Sequence, residues 1–319
     1  MGAGSSFCAA VSLVGANGSF KGTHTAWLYK TRHWGEHEAG MRSYFGEMFR
    51  TYGKELRRIL LEKVSPSIVL QYDGQINHVF GPTMIRLQHE LTDPTISLLR
   101  RIGMSAVQNE VSDLSDLVDA VISLWEKKDV TPVGPPSKID KDELYAAVIA
   151  DLEREYFSPR GILLTDYENA QVQVRLESII HTGVEEGWTI RRVAEEIERG
   201  IGGMYSGNRA MIIARTEVPA LFNRCSYETM VKAECIAAKI WLAVMDERTR
   251  DTHIIADGQQ VPINEKFRVN GVWMMYPGDP AGGPREVCNC RCAMLPVVAS
   301  QYIPQNTSTS TILDTLLNE

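Results

Sequence analysis

Up to about residue 235 the apolar residues of this chain return every three or four positions; beyond 236 that rhythm stops. A repeat near 3.6 suits a helix with one buried face, whereas a repeat of two suits a strand, so the chain cannot be one regular architecture. Between residues 41 and 65, Phe45, Met48, Tyr52, Leu56, Ile59 and Leu60 mark one helical face. Leu114, Leu117, Val118, Val121, Ile122 and Trp125 form a second, wide stripe, with Ser112 and Asp113 placed to cap it. The stretch between them, SPSIVLQYDGQINHVFGPT, reads as a loop or short strands.

TPVGPPSK, residues 131 to 138, carries three prolines and a glycine and stops any helix. Helical text resumes with DELYAAVIADLEREYF. In the next segment Thr165 and Glu168 have capping-box spacing. Thr189 is the expected N-cap of a short helix whose face is Ile190, Val193, Ala194 and Ile197, with Gly200 as its stop. After a glycine-rich turn, a long helix is expected through RAMIIARTEVPALFNRCSYETMVKAE, kinked or broken at Pro219. Arg215 and Glu217 stand two apart on it, so they are read as surface charges.

Past 236, AAKIWLAV suits a strand and Asp257-Gly258 a tight turn. FRVNGVWMM suits a hairpin, because Asn270-Gly271 tolerates the left-handed angles of a type I′ turn. YPGDPAGGPREV is expected to be a long loop and CRCAMLPVVA a last strand. The fold class is therefore α+β: a mostly helical N-terminal two-thirds, then a compact unit with a small antiparallel sheet. The expected divisions are a flexible arm over 1–40, a helical region over 41–138, a C-terminal domain over 139–300 and a tail over 301–319.

Composition narrows the function. A net charge of −7 argues against bulk coating of DNA, which needs concentrated Lys and Arg, though a local contact stays open. No apolar run is long enough to span a membrane. The Met-Gly start with Ser6 has myristoylation spacing but no second membrane signal. No complete phosphate-loop, serine-hydrolase or zinc-protease motif occurs, so no small-molecule substrate is expected. His33, Trp34 and His37 read as an exposed aromatic loop, with a metal or nucleic-acid contact as the sharper alternative.

Cys288, Cys290 and Cys292 stand at alternate positions. On a strand they would share one face, but with Cβ atoms about 7 Å apart they would converge poorly on an ion. Two readings follow. The thiols fill a tight core, or Cys290 and Cys292 hold a soft metal such as zinc with His253 or Asp246 completing the set. A cysteine nucleophile paired with His253 is a third use.

Taken in order, ARTE at 214–217, the tryptophan strand KIWLAVMDERTRDTH, DGQQVP at 257–262, the Phe-containing hairpin, YPGDP at 276–280 and NCRC at 289–292 resemble the phage Mu F-like family of minor head proteins. The resemblance covers roughly 140 to 296. It singles out Trp241, Asp246, Arg248, His253, Asp257, Gly258, Pro277, Asp279, Cys290, Arg291 and Cys292 as a structural motif, with Arg248 expected to pair with Asp246 or Asp279. It implies a structural, non-enzymatic protein that joins the phage head, partners the portal and other head proteins, and acts in head morphogenesis and DNA packaging or delivery. Its implied place is the virion interior or portal vertex, after assembly in the host cytoplasm. The competing functional readings are a DNA-binding protein ejected with the genome and a hydrolase or nuclease built on the His/Cys cluster.

Overall fold

A computed structural model describes residues 27, 28, 30–63, 73–126 and 135–302. The readings of residues 1–26, of 64–72, of 131–134 and of 303–319 lie outside these residues. The α+β class is as expected: helices dominate, followed by a small antiparallel sheet.

The helices are α1 (Trp34–Lys63), α2 (Asp73–Glu126), α3 (Lys141–Leu152), α4 (Ser158–Glu185), α5 (Ile190–Ile197) and α6 (Ser206–Lys232). Short π-helical turns, Glu153–Phe157 and Glu198–Tyr205, join α3 to α4 and α5 to α6. The strands and small helices follow as β1 (Ile236–Leu242), α7 (Asp251–Ala256), β2 (Gln260–Pro262), β3 (Phe267–Val269), β4 (Val272–Met274), α8 (Gly283–Val287) and β5 (Ala293–Val298).

Several expectations change. Residues 73–83 are helix, not loop or strand, and α2 runs through Pro82 and Pro94. Ser112 and Asp113 therefore lie inside a helix rather than at its cap. Asp113 instead accepts from Arg32 at 2.8 Å. Thr165 and Glu168 are also interior: Thr165 Oγ1 donates to the Gly161 carbonyl, 3.1 Å away, a bond that replaces the expected capping box. Gly200 stops nothing, because the π-helical turn continues past it; its kink is at Gly203. Pro219 does not break α6. Thr189 does cap α5, its hydroxyl accepting from the Arg192 amide.

Contacts divide the chain into two units, each assembled from separate stretches. One takes Glu38–Arg101 and Glu153–Ala214. Its core is the expected face of α1 (Phe45, Leu56 and Leu60 are fully buried), joined by Phe49, which that face did not include, with Val172 and Leu176 of α4 and Ile197 of α5. A Cβ on Gly53 would lie 2.9 Å from the Gly202 amide nitrogen, so α1 needs glycine where that backbone approaches. Several polar groups inside are paired: Tyr52 donates to Asn169, Asn169 donates to Gln88, and Arg209 forks onto the buried Glu168 at 2.9 and 2.5 Å.

The other unit takes Met1–His37, Ile102–Leu152 and Arg215–Glu319. The stripe Leu114, Leu117, Val118 and Val121 is buried here, as are Val218, Leu221 and Phe222 of α6. Lys30 reaches the buried Glu110 at 2.6 Å, and Ser226 donates to the same carboxylate. Trp34 is buried beside Phe222, and His37 packs on that ring and bonds Ser105, so RHWGEH is an anchored helix start rather than an exposed loop. Glu217 is buried too, against the surface reading.

The sheet has order β2-β1-β5, antiparallel throughout, and β3 pairs with β4. β1 is central. Its Lys239 and Trp241 share one face, over Phe267 of the hairpin. β5 carries Pro296 opposite Lys239; within the described residues β5 has a partner on one side alone, which leaves proline tolerable. Asn270 and Gly271 have φ of 50° and 80°, the left-handed pair that the hairpin turn requires.

Candidate functional site

The expected long loop at 276–287 holds a 3₁₀ turn (Pro280–Gly282) and α8, and these set up the cysteine segment. Asp279 caps the turn, accepting from the Ala281 and Met275 amides at 2.9 and 2.7 Å. Arg248 therefore does not have Asp279 as its partner. Pro277, buried, precedes Gly278, whose φ is +85°.

CNCRC is not a strand. Residues 288–292 form a turn between α8 and β5, and Asn289 has φ of 54°. Few side chains accept that conformation, and asparagine is among them. The bend overturns the geometric objection: Cys290 and Cys292 no longer lie along a straight edge. Both are buried, while Cys288 is half-buried and outside the group.

His253, on α7, completes the cluster. Its Nδ1 lies 3.3 Å from Cys292 Sγ and 3.7 Å from Cys290 Sγ. These three donor atoms fall within 4.8 Å of one another, and all three residues are buried. The far nitrogen, Nε2, lies 3.2 Å from Glu286 Oε2. Glu286 is buried as well and accepts from Asn270 at 2.8 Å and Thr252 at 3.0 Å. Burial pushes the Glu286 carboxyl up, but the bonds from Asn270, Thr252 and His253 outweigh it and leave it below its ordinary value. Of the two thiols, Cys290 is held well below the usual range by its hydrogen bond from Cys292 and by His253. Burial, and Cys290 beside it, push Cys292 up. The Trp241 ring stands edge-on to His253 at 5.5 Å, and its buried Nε1 has no oxygen or nitrogen acceptor.

A ring of anchors fixes the loops around this cluster. Arg291 forks onto Asp246 at 2.6 and 2.5 Å, and its guanidinium holds the Asp246 carboxyl well below the usual carboxylate range. Arg248 contributes its backbone amide to Asp246 at 3.0 Å; its exposed side chain is 3.7 Å away. Asp246 is thus spoken for and is not a fourth member of the cluster. Asp257 accepts from the Ala243 amide at 2.8 Å, and the Gly258 amide donates to the Trp241 carbonyl at 2.9 Å, pinning α7 to β1. Beneath the cysteines, Thr216 of ARTE accepts from the Asn289 amide at 3.0 Å, and Asn223 donates to the Cys292 carbonyl at 2.9 Å. Trp27 reaches the Arg291 carbonyl at 2.6 Å, and Arg250 the Cys288 carbonyl.

Of the residues that the resemblance singles out, His253, Cys290 and Cys292 stand together with Trp241 against the histidine, Arg291 pairs with Asp246, and Arg248, Pro277 and Asp279 lie outside the cluster. The resemblance missed Glu286, Asn270 and Thr252, which orient His253. A single glutamate in PREV carries no local signal, and only the fold brings it to the histidine.

Residues 174–295 match the family described as Phage Mu protein F like protein. The uncharacterized protein YqbB of Bacillus subtilis (strain 168) is 28% identical over 134 residues, 40% of this chain and 43% of that protein. The NAD(+)--arginine ADP-ribosyltransferase EFV of Enterococcus faecalis (strain ATCC 700802 / V583) is 31% identical over 169 residues, 50% of this chain and 32% of that protein. The chain therefore spans less than half the length of either of these relatives. No solved structure matches it.

Proposed function

We propose, from the membership of residues 174–295 in the phage Mu F-like family, that this is a minor head protein of a tailed bacteriophage. It acts in head morphogenesis, joins the head in few copies, and partners the portal protein and other head proteins. The observation that carries this reading is the family match itself, which falls on the region holding β1, the hairpin and the cysteine turn.

A structural, non-enzymatic role is supported by the burial of the polar cluster. His253, Cys290, Cys292 and Glu286 are sealed from solvent, so a substrate would reach them only if the loops opened. The Enterococcus faecalis relative is a transferase by name, and the match covers 32% of it. Contact with the packaged genome is local in this reading, in keeping with the net charge of −7. No helix of the described residues is long and apolar enough to cross a membrane, and none is needed for a place in the virion.

Quantitative mass spectrometry of purified particles, with the portal protein as internal count, tests this. A few copies per portal ring are expected. Absence from particles, together with abundance in the infected-cell lysate, overturns the reading.

A further inference from the structure

We infer that His253, Cys290 and Cys292 bind one zinc ion, through Nδ1 and the two sulfurs. The geometry comes first. Zinc–sulfur bonds of about 2.3 Å and zinc–nitrogen bonds of about 2.0–2.1 Å in a tetrahedron place nitrogen about 3.6 Å from sulfur. The two distances here are 3.3 and 3.7 Å. An ion therefore enters with ligand shifts of a few tenths of an ångström, and the backbone turn at Asn289 already aims both thiols inward.

Three further features fit an ion better than packed thiols. Glu286 engages Nε2, which fixes that nitrogen as the protonated one and leaves the Nδ1 lone pair for a metal. Glu286 is itself held by Asn270 and Thr252, so the imidazole cannot easily turn. The Trp241 indole N–H is buried without a hydrogen-bond partner, on the ring that stands edge-on to His253. Simple packing leaves this donor unmatched and crowds three polar atoms together in an apolar core.

Charge and protons balance. Zinc with two thiolates and a neutral imidazole carries no net charge, which suits a buried site, and binding releases the two thiol protons to solvent. Among the described residues no other His, Cys, Asp or Glu converges, so the fourth place goes to a different donor such as water. The ion would tie α7 to the cysteine turn. A unit whose sheet is this small gains a cross-link where apolar burial is limited. This inference stands on the cluster alone and does not depend on the phage reading.

The test uses the full chain purified under reducing conditions without chelator. Elemental analysis is expected to find one zinc per chain, lost in Cys290→Ser and in His253→Ala and kept in Cys288→Ser. Should the first two variants fail to fold, the wild-type chain decides by itself. After zinc removal, a cobalt(II) titration should give thiolate-to-metal charge-transfer absorption that saturates at one equivalent. A reduced wild-type chain that takes up neither zinc nor cobalt overturns the inference. So does a folded Cys290→Ser, Cys292→Ser double variant that keeps the ion.

Discussion

Lys239 should make this protein more stable as the solution becomes more alkaline. It lies at the centre of β1 with no exposed surface. Its Nζ donates to the Ile263 carbonyl at 2.9 Å and to the Met275 sulfur at 3.0 Å, and sits 4.5 Å from the Tyr227 ring centroid. These contacts compensate poorly for lost water. Burial pulls the lysine down from 10.5 to about 8, with Asp279 acting in the opposite direction. The sign follows from proton counts. Between pH 8 and 10.5 the unfolded chain keeps the proton and the folded chain has released it, so stability rises with pH across that window. Below 8 both states are protonated and the cost of burying the ammonium is fully felt, about 3 kcal/mol. Lys239→Met keeps the chain length and removes the charge. At pH 7 the two effects nearly cancel, because the variant also leaves the Ile263 carbonyl unpaired, a loss of about 1–3 kcal/mol. The informative quantity is the difference in unfolding free energy between wild type and variant, from urea titrations at several pH values. It should move in favour of wild type by about 2–3 kcal/mol between pH 7 and 10. Ionisation of tyrosines and thiols elsewhere is common to both proteins and cancels. A difference that stays flat over this range, or moves toward the variant, refutes the reasoning.

Two other substitutions probe the supports of the cluster. Gly278→Ala forces a φ of +85° on a residue with a Cβ and places that atom 2.8 Å from Ala220 Cα, so a loss of about 2–4 kcal/mol is expected in a denaturant melt. A change within error would mean that this loop is free to move. Asn223→Leu removes the donor to the buried Cys292 carbonyl and should cost about 1–3 kcal/mol by the same assay. It should also quicken the loss of zinc to a chelator, an effect that a purely global destabilisation by an equal amount elsewhere in the unit would not reproduce.

What the sequence reveals, and what it hides, follows from the range of the interactions. The hairpin at Asn270-Gly271 and the Thr189 cap were legible because each depends on two or three neighbouring residues. The buried faces of α1 and the second half of α2 were legible from their period. Residues 73–83 misled, because Gly74, Gly81 and Pro82 are turn-formers in isolation, yet α2 carries them through as helix. Thr165 and Glu168 have the spacing of a helix start, but Glu168 is there for Arg209 of another helix. The cysteine turn misled for a similar reason. Alternating cysteines suggest a strand, and only the left-handed Asn289, held by Thr216, turns them inward. Lys239 and Glu286 are single charged residues with nothing unusual beside them. Their importance comes wholly from the elements that close over them.

The strand order has a consequence for how the chain is made. β1 lies between β2 and β5, but β5 is the last of the described strands to leave the ribosome. Until then one edge of an apolar strand has no partner, and such an edge is a template for a neighbouring nascent chain. Pairing so distant in sequence also closes slowly. The helical unit of Glu38–Arg101 and Glu153–Ala214 is synthesised whole before β5 appears, so it can fold early while the sheet waits. Synthesis at high local density is therefore the circumstance in which this chain is most exposed to mispairing.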